Sequence, residues 1–324
     1  MKTAILGCGA ISYVHVEALI RQGIDIVALC DIKKEKAQII KEKHSLDCAI
    51  YTDYQQMLKV QEIEVVHICT PHYLHAQMAE YALAKNINVL LEKPASINEK
   101  EIDMLISAQA NSKAQLGICF QNRYLEGNKD AKVFLQDKSI CGITGTLFWC
   151  RDKDYYSLSG WRGTKEKEGG GVLINQAIHT LDLMIWLAGM PEYLTATVSN
   201  RHLQGIIEVE DTAECFWEIE KGNAMLYATT AASKNYPINI KIDSDSHTVE
   251  ITGESCEIDG NKYSDSNISM VGKQYWGIGH YKLIEDFYSC LKEGRKFPIG
   301  IEEGAKALKM IFAIYKSEGQ RIKI

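Results

Sequence analysis

The sequence predicts an α/β fold, with a doubly wound parallel sheet over residues 1–122 and a second domain of short strands over 123–324. Three observations carry this reading. Short apolar runs alternate with helical patterns up to Phe120, the rhythm of parallel strands joined by crossover helices. Gly7-Cys8-Gly9 falls in the turn between the first run and the first helical pattern. Beyond Asn122 the rhythm changes to segments rich in aromatic and β-branched residues, separated by turn residues.

Each element follows from local pattern. Thr3–Leu6, Ile26–Cys30, Val65–Cys69, Asn88–Leu91 and Gln115–Phe120 are apolar runs too short for helices, as in strands buried on both faces. Ser12–Gln22, Lys34–His44, His75–Lys85 and Glu99–Ala110 carry the helical period. In the second domain, strands are expected at Gly142–Arg151, Thr195–Asn200, Ala213–Ile219, Ala224–Thr230 and Ile238–Ile242. Glu220-Lys221-Gly222-Asn223 forms a hairpin turn between two of them. Thr248–Thr252 and Ser255–Ile258 are further candidates, before a less readable loop around Ser264 to Val271. One helix is expected from about Val172 to Ala188, and two more at Gly279–Lys292 and Glu302–Ser317.

Composition excludes several classes. Apolar content of 46% and charged content of 24% over 324 residues suit a globular protein. A formal charge of -6 leaves no basic footprint for nucleic acid, and no Lys/Arg block marks a membrane surface. No uninterrupted apolar run approaches the ~18 residues of a membrane span, and the chain opens on an apolar strand without a basic leader. Its ten cysteines form no Cys-x-x-Cys pair. The expectation is a cytoplasmic protein with reduced thiols.

The turn at Gly7, Cys8, Gly9, Ala10 and Ile11 has the chemistry of a phosphate cradle. Gly7 permits the tight turn, and Gly9 lets backbone N–H groups approach a pyrophosphate at a helix N-terminus. Ser12 stands where a third glycine is usual and is small enough for close packing, and Cys8 reads as a small filler. Asp31 ends the second strand at the spacing where a carboxylate bonds an adenosine ribose. The same carboxylate repels a 2′-phosphate, which favours NAD over NADP; Lys33 and Lys34 temper that preference. Asp31 also reads as a simple helix cap. His72 and His75 are the nearest approach to a metal pair, and no further ligand has suitable spacing, so no metal is expected.

Gly7-Cys8-Gly9-Ala10, Cys69-Thr70-Pro71-His72-Tyr73-Leu74-His75, Glu92-Lys93-Pro94 and Gly169-Gly170-Gly171-Val172-Leu173-Ile174-Asn175-Gln176-Ala177-Ile178-His179-Thr180-Leu181-Asp182 stand in this order. The chain thereby resembles the glucose-fructose oxidoreductase / inositol dehydrogenase (Gfo/Idh/MocA) family along nearly its whole length. The resemblance implies an N-terminal Rossmann domain and an α+β C-terminal domain on a large, open, mostly antiparallel sheet. It also implies an NAD(P)-dependent enzyme. Thr70, Pro71, His72, His75 and Glu92 would line the cofactor, His75 supporting the backbone or the nicotinamide pocket.

Asn175 and His179 are four residues apart and project from one helix face, with Asp182 near the same stripe. The resemblance implies that Lys93 and His179 flank the reacting hydroxyl. His179 is then the favoured general base, and Lys93 hydrogen-bonds the same oxygen, although these roles can be exchanged. Many relatives carry aspartate at the position of Asn175, which orients without supplying charge and shifts weight onto Lys93. Arg123, Tyr156, Trp161 and Arg162, with Tyr155, suit a sugar-like ring or an acidic group. The run from Tyr155 to Gly171 looks like the branch that acts on acidic N-acetylated nucleotide sugars; free sugars, cyclitols and glycosides are the other candidates. The expected activity is hydride transfer between a nicotinamide and a secondary alcohol. An NAD-recycling enzyme and a non-catalytic dinucleotide or sugar sensor are the alternatives. A homodimer or homotetramer through the C-terminal sheet is expected.

Overall fold

The computed structural model describes residues 1–60, 62–264 and 278–324, so the loop expected around Ser264 to Val271 lies outside the described residues from 265 onward. The chain divides into two units. One comprises Met1–Gln121 and Ile268–Gly304; the other comprises Asn122–Asn267 and Ala305–Ile324.

In the first unit, strands β1 (Lys2–Leu6), β2 (Asp25–Cys30), β3 (Ala49–Tyr51), β4 (Val65–Ile68), β5 (Asn88–Leu91) and β6 (Leu116–Ile118) form a six-stranded parallel sheet. Its order is β3-β2-β1-β4-β5-β6, which reverses beside β1, the switch point where such sheets bind ligands. Helices α1 (Ser12–Arg21), α2 (Lys34–Lys43), α3 (Tyr54–Val60), α4 (His75–Leu83) and α5 (Glu99–Ala110) make the crossovers. Ala4, Ile5, Val65, Val66, Val89 and Leu90 are wholly buried, as expected for strands covered on both faces. Register brings Leu6 level with Cys30 and Ile68. The loops after β1, β2 and β4 therefore emerge side by side, joined by Gly7 N–H to Cys30 O (2.8 Å) and Cys69 N–H to Leu6 O (2.7 Å).

The second unit begins with α6 (Glu126–Leu135) and β7 (Ile140–Phe148), then the short α7 (Lys153–Ser157) and α8 (Lys165–Glu168). One continuous helix was expected from Val172. Instead, a π-helical turn over Val172–Ala177 leads into α9 (Ile178–Ala188). Strands β8 (Tyr193–Ser199), β9 (Thr212–Ile219), β10 (Gly222–Thr229), β11 (Asn239–Ser244), β12 (His247–Thr252), β13 (Ser255–Ile258) and β14 (Asn261–Ser264) follow. After α10 (Gly279–Glu293) and α11 (Ile301–Ser317), β15 (Ile322–Lys323) completes a nine-stranded sheet ordered β14-β13-β12-β11-β7-β10-β9-β8-β15. Among the described residues only the β7–β10 pair is parallel, so the sheet is mostly antiparallel. One face is covered by α9, and Gly145 makes the approach possible: a Cβ there would meet Met184 Sδ at 2.3 Å.

Helix α10 folds with the first unit. Its Tyr288 hydroxyl meets Thr3 Oγ1 at 2.7 Å and His67 Nε2 at 3.0 Å, both inside the parallel sheet. By length and composition alone, the helical stretch Lys165–Ala188 could cross a membrane, but 78% of its apolar window is buried inside the fold, as in a core helix.

Candidate active site

The glycine turn after β1 is built by backbone. Gly7 has φ +85°, and a Cβ there would lie 2.6 Å from Cys69 O, so only glycine fits. At Gly9 a Cβ would meet nothing within 4 Å, leaving backbone open at the start of α1, the kind of helix N-terminus that can hold an anion. Ser12 is buried and donates its hydroxyl to Gly9 O (2.6 Å), closing the turn where a third glycine is usual. Ala10 is exposed and Ile11 half-buried on the rim. Asp31 caps no helix: its carboxylate accepts from Cys8 N–H (2.9 Å) and Lys33 N–H (2.8 Å). That places a fixed negative group at the end of β2, where a ribose hydroxyl would meet it. Burial, then Asp31, pushes the Cys8 thiol up to about 12, which makes it an inert filler.

Lys93 follows β5 and is half-buried between the buried Glu92 and Pro94. Its foundation is a buried hydrogen-bond chain. Glu92 Oε1 accepts from His15 Nε2 (3.0 Å) and His280 Nε2 (3.2 Å). His15 Nδ1 meets His67 Nδ1 (2.8 Å), and His67 Nε2 meets Tyr288 OH. Neutral rings satisfy every link: Tyr288 donates to His67, His67 to His15, and His15 to the carboxylate. Burial lowers the pKa of His15 and His67, consistent with that assignment. Burial alone would raise Glu92, but bonds from His15 and His280 hold it well below the usual carboxylate range. The ionised Glu92 in turn accepts the Lys93 N–H (3.2 Å).

His75 spans two carbonyls, Pro94 O through Nδ1 and Thr70 O through Nε2, both at 2.7 Å. It thus ties the Thr70-Pro71 loop to the Lys93-Pro94 turn, with buried His72 beside it (ring centroids 5.9 Å). Among the described residues, His15, Glu92 and Cys119 bring ligand-type atoms within 4.8 Å of one another. There His15 and Glu92 already face each other as donor and acceptor.

In the second unit the glycine run is dictated by close approach. A Cβ on Gly170 would lie 2.0 Å from Tyr315 OH, and one on Gly171 would lie 1.9 Å from Glu210 O. Glu210 closes the start of the π turn: its side chain accepts from Gly171 N–H (2.9 Å) and Leu173 N–H (3.0 Å), its carbonyl from Val172 N–H (3.0 Å). From Gly171 to Ile185 every residue is buried except Asn175 and His179. The wider i→i+5 winding of a π turn keeps residues four apart near one face, so the two polar side chains reach the surface together.

Asn175 Nδ2 donates to Glu168 Oε1 (2.5 Å) and lies 3.4 Å from Tyr155 OH. Glu168 is wholly buried, and its other oxygen accepts from Gly163 N–H. Burial drives its pKa up to about 7, against the lowering effect of Gly163, Asn175 and Arg162. The guanidinium carbons of Arg151 and Arg162 each lie 4.8 Å from the centroid of the Tyr155 ring. Arg151 also covers Trp149, and Arg162 covers Trp161, at the same distance. Among the described residues, the Nε–H of each arginine has no hydrogen-bond partner.

Two expected substrate contacts change place. Arg123 is buried and makes a two-point ion pair with Asp182 (2.8 and 2.6 Å), which gives both residues a structural part. Tyr156 packs with Leu203, Ile207 and Val209 in a small core, and Tyr155 takes the position beside Asn175. Glu168 and Arg151 were not singled out from sequence. Glu168 stands in the charged run Lys165-Glu166-Lys167-Glu168, which resembles a solvated face, and Arg151 ends a strand-like segment.

Residues 1–120 match the model of the oxidoreductase family with an NAD-binding Rossmann fold, and residues 139–259 match the GFO/IDH/MocA C-terminal domain. An inositol 2-dehydrogenase of Salmonella typhimurium is 29% identical over 203 residues, 61% of this chain and 57% of that protein. A 2,7-anhydro-N-acetylneuraminate hydratase of Mediterraneibacter gnavus is 29% identical over 195 residues, 57% of this chain and 48% of that one. This chain thus spans about half the length of these curated relatives. The crystal structure of the WlbA dehydrogenase from Chromobacterium violaceum, in complex with NADH and UDP-GlcNAcA, superposes with a TM-score of 0.88 at 25% identity. That match covers 100% of this chain and 96% of that one. The first unit is an NAD-binding domain, and the chain belongs to the Gfo/Idh/MocA family of oxidoreductases.

Proposed function

We propose that this protein is an NAD-dependent dehydrogenase or ketoreductase of a sugar-like secondary alcohol. The observation that carries the reading is the pair Asn175 and His179, the two side chains from Gly171 to Ile185 that escape burial. NAD, when bound, supplies the acceptor for the substrate hydride. His179 takes the hydroxyl proton as the carbonyl forms and returns it in the reverse direction. Lys93 donates a hydrogen bond to the same oxygen and stabilises its developing negative charge. Asn175 orients the hydroxyl. Asp31 favours NAD over NADP, because a carboxylate fixed by two backbone N–H groups repels a 2′-phosphate. All ten cysteines are free, which suits a reducing compartment.

Within sugars, the two guanidinium groups stacked around Tyr155 support a substrate with an acidic group, since guanidinium matches a carboxylate or phosphate. The likeness to a dehydrogenase crystallised with UDP-GlcNAcA points the same way. A second reading is favoured by the likeness to the hydratase: tightly held NAD oxidises and then re-reduces one substrate around an elimination or addition. Absorbance at 340 nm tests both, with NAD and NADP offered separately against cyclitols, free sugars, glycosides and UDP-linked hexosaminuronates. NADH accumulation with NAD and an acidic sugar is expected. Consumption of a sugar without net NADH selects the recycling enzyme. Bound NAD with no sugar consumed refutes both.

A further inference from the structure

We propose that Glu168 is a positioning residue for Asn175: its carboxylate holds the amide nitrogen inward, so that Asn175 turns its carbonyl oxygen to the reacting centre. This rests on the functional reading above, in which Asn175 borders the reacting hydroxyl. The orientation of an amide follows from its partners. Once ionised, the Glu168 carboxylate only accepts, so in that state the group 2.5 Å from its Oε1 is the Asn175 nitrogen. The Tyr155 hydroxyl, 3.4 Å from the same nitrogen, is compatible with that turn.

Glu168 cannot swing away at low cost. It is wholly buried, and its Oε2 accepts from Gly163 N–H, so each oxygen has a fixed donor. The next residue, Gly169, has φ +86° and ends α8, which fixes where the Glu168 side chain leaves the backbone. The arrangement is polar in one sense only: two donors, Gly163 N–H and Asn175 Nδ2–H, converge on one carboxylate. The amide of Glu168→Gln has a single acceptor, so it would face one of those donors with a donor of its own. Asn175→Asp would set a second carboxylate against the buried first one, which favours uptake of a proton by the pair. Together the two changes are complementary. The new amide at position 168 would accept from Gly163 with its oxygen and donate with its nitrogen to the new carboxylate at position 175. That carboxylate would still present an acceptor outward.

The experiment is a double-mutant cycle of Glu168→Gln and Asn175→Asp, read in kcat, in KM and in unfolding midpoint, on the sugar that the wild type turns over. Each single variant is expected to lose about tenfold or more in kcat. The double variant should be at least about tenfold more active than the product of the single losses allows, the size of coupling seen between contacting residues. Losses that simply multiply in kcat would overturn the proposal. So would coupling seen in the unfolding midpoint alone, which would make the pair structural. A wild type inactive on every sugar, or one that keeps turnover after Lys93→Ala, would instead refute the functional reading itself.

Discussion

Lys93 owes its place to residues that do no chemistry. Glu92 is buried and ionised, His15 and His280 hold it with hydrogen bonds, and His75 ties the following proline carbonyl to the Thr70 loop. Lys93→Ala removes the ammonium without touching this foundation or the open backbone at Gly9. Turnover should fall by about 10²–10³, while NAD affinity, read by fluorescence titration, stays within a few-fold. Glu168 makes a separate prediction in stability. Its folded pKa is raised to about 7 by burial, with Glu210 adding to the rise and Gly163, Asn175 and Arg162 opposing it. The folded state therefore holds a proton that the unfolded chain has already released above its ordinary value of 4.5. The stability this group contributes is complete below about 4.5 and is lost as pH rises toward about 7, by on the order of 3 kcal/mol. Glu168→Gln should flatten that part of the profile when chemical denaturation is followed from about pH 5 to about pH 8. An unchanged slope would show that the carboxyl titrates as in water.

The elements differ in how plainly the sequence announces them. The strands β1, β2, β4, β5 and β6 were legible because each is buried on both faces and so is apolar without interruption. Strand β3 was not: Ala49-Ile50-Tyr51 is three half-buried residues, too few for any period. The π turn over Val172–Ala177 carries the apolar pattern of ordinary helix, and the Glu210 side chain and carbonyl that cap its start arrive from 39 residues further along the chain. The two glycine sites separate folding from binding. Gly171→Ala would drive a Cβ to 1.9 Å from Glu210 O and should cost about 1–3 kcal/mol or more, because backbone must move. Gly9→Ala meets nothing within 4 Å and should leave stability within about 0.5 kcal/mol while weakening NAD binding. Calorimetric melting and NAD titration of both variants would check the contrast; equal melting losses would contradict the close approach at Gly171.

At the scale of the molecule, local pattern gave the order of the elements and left long-range pairings unread. Arg123 looks like a substrate contact until Asp182, 59 residues away, takes its guanidinium. Helix α10 is amphipathic on its own evidence, but its long-range partners show that it folds with the first unit: Tyr288 beneath β1 and β4, and His280 against Glu92. The nine-stranded sheet poses the remaining question, because one face is covered by α9 and the other, among the described residues, exposes large apolar side chains. On β9, Ala213, Cys215 and Trp217 are buried while Glu214, Phe216 and Glu218 are exposed. Phe216 pairs across to Met225, and on the same face Tyr227 and Phe148 bring their rings to 5.3 Å. Phe216 is 55% and Phe148 40% exposed, an apolar strip across three neighbouring strands. Such a strip needs cover in water, and a second copy of the same sheet is the simplest cover because it is self-complementary about a two-fold axis. Light scattering on eluting protein should therefore give two or four chain masses. Phe216→Lys, which places a cation in the centre of the strip at an exposed position, should shift that mass toward one chain while the melting of the sheet persists at low concentration. A wild type that elutes as one chain, or a Phe216→Lys variant with unchanged mass, would mean that the strip serves some other surface.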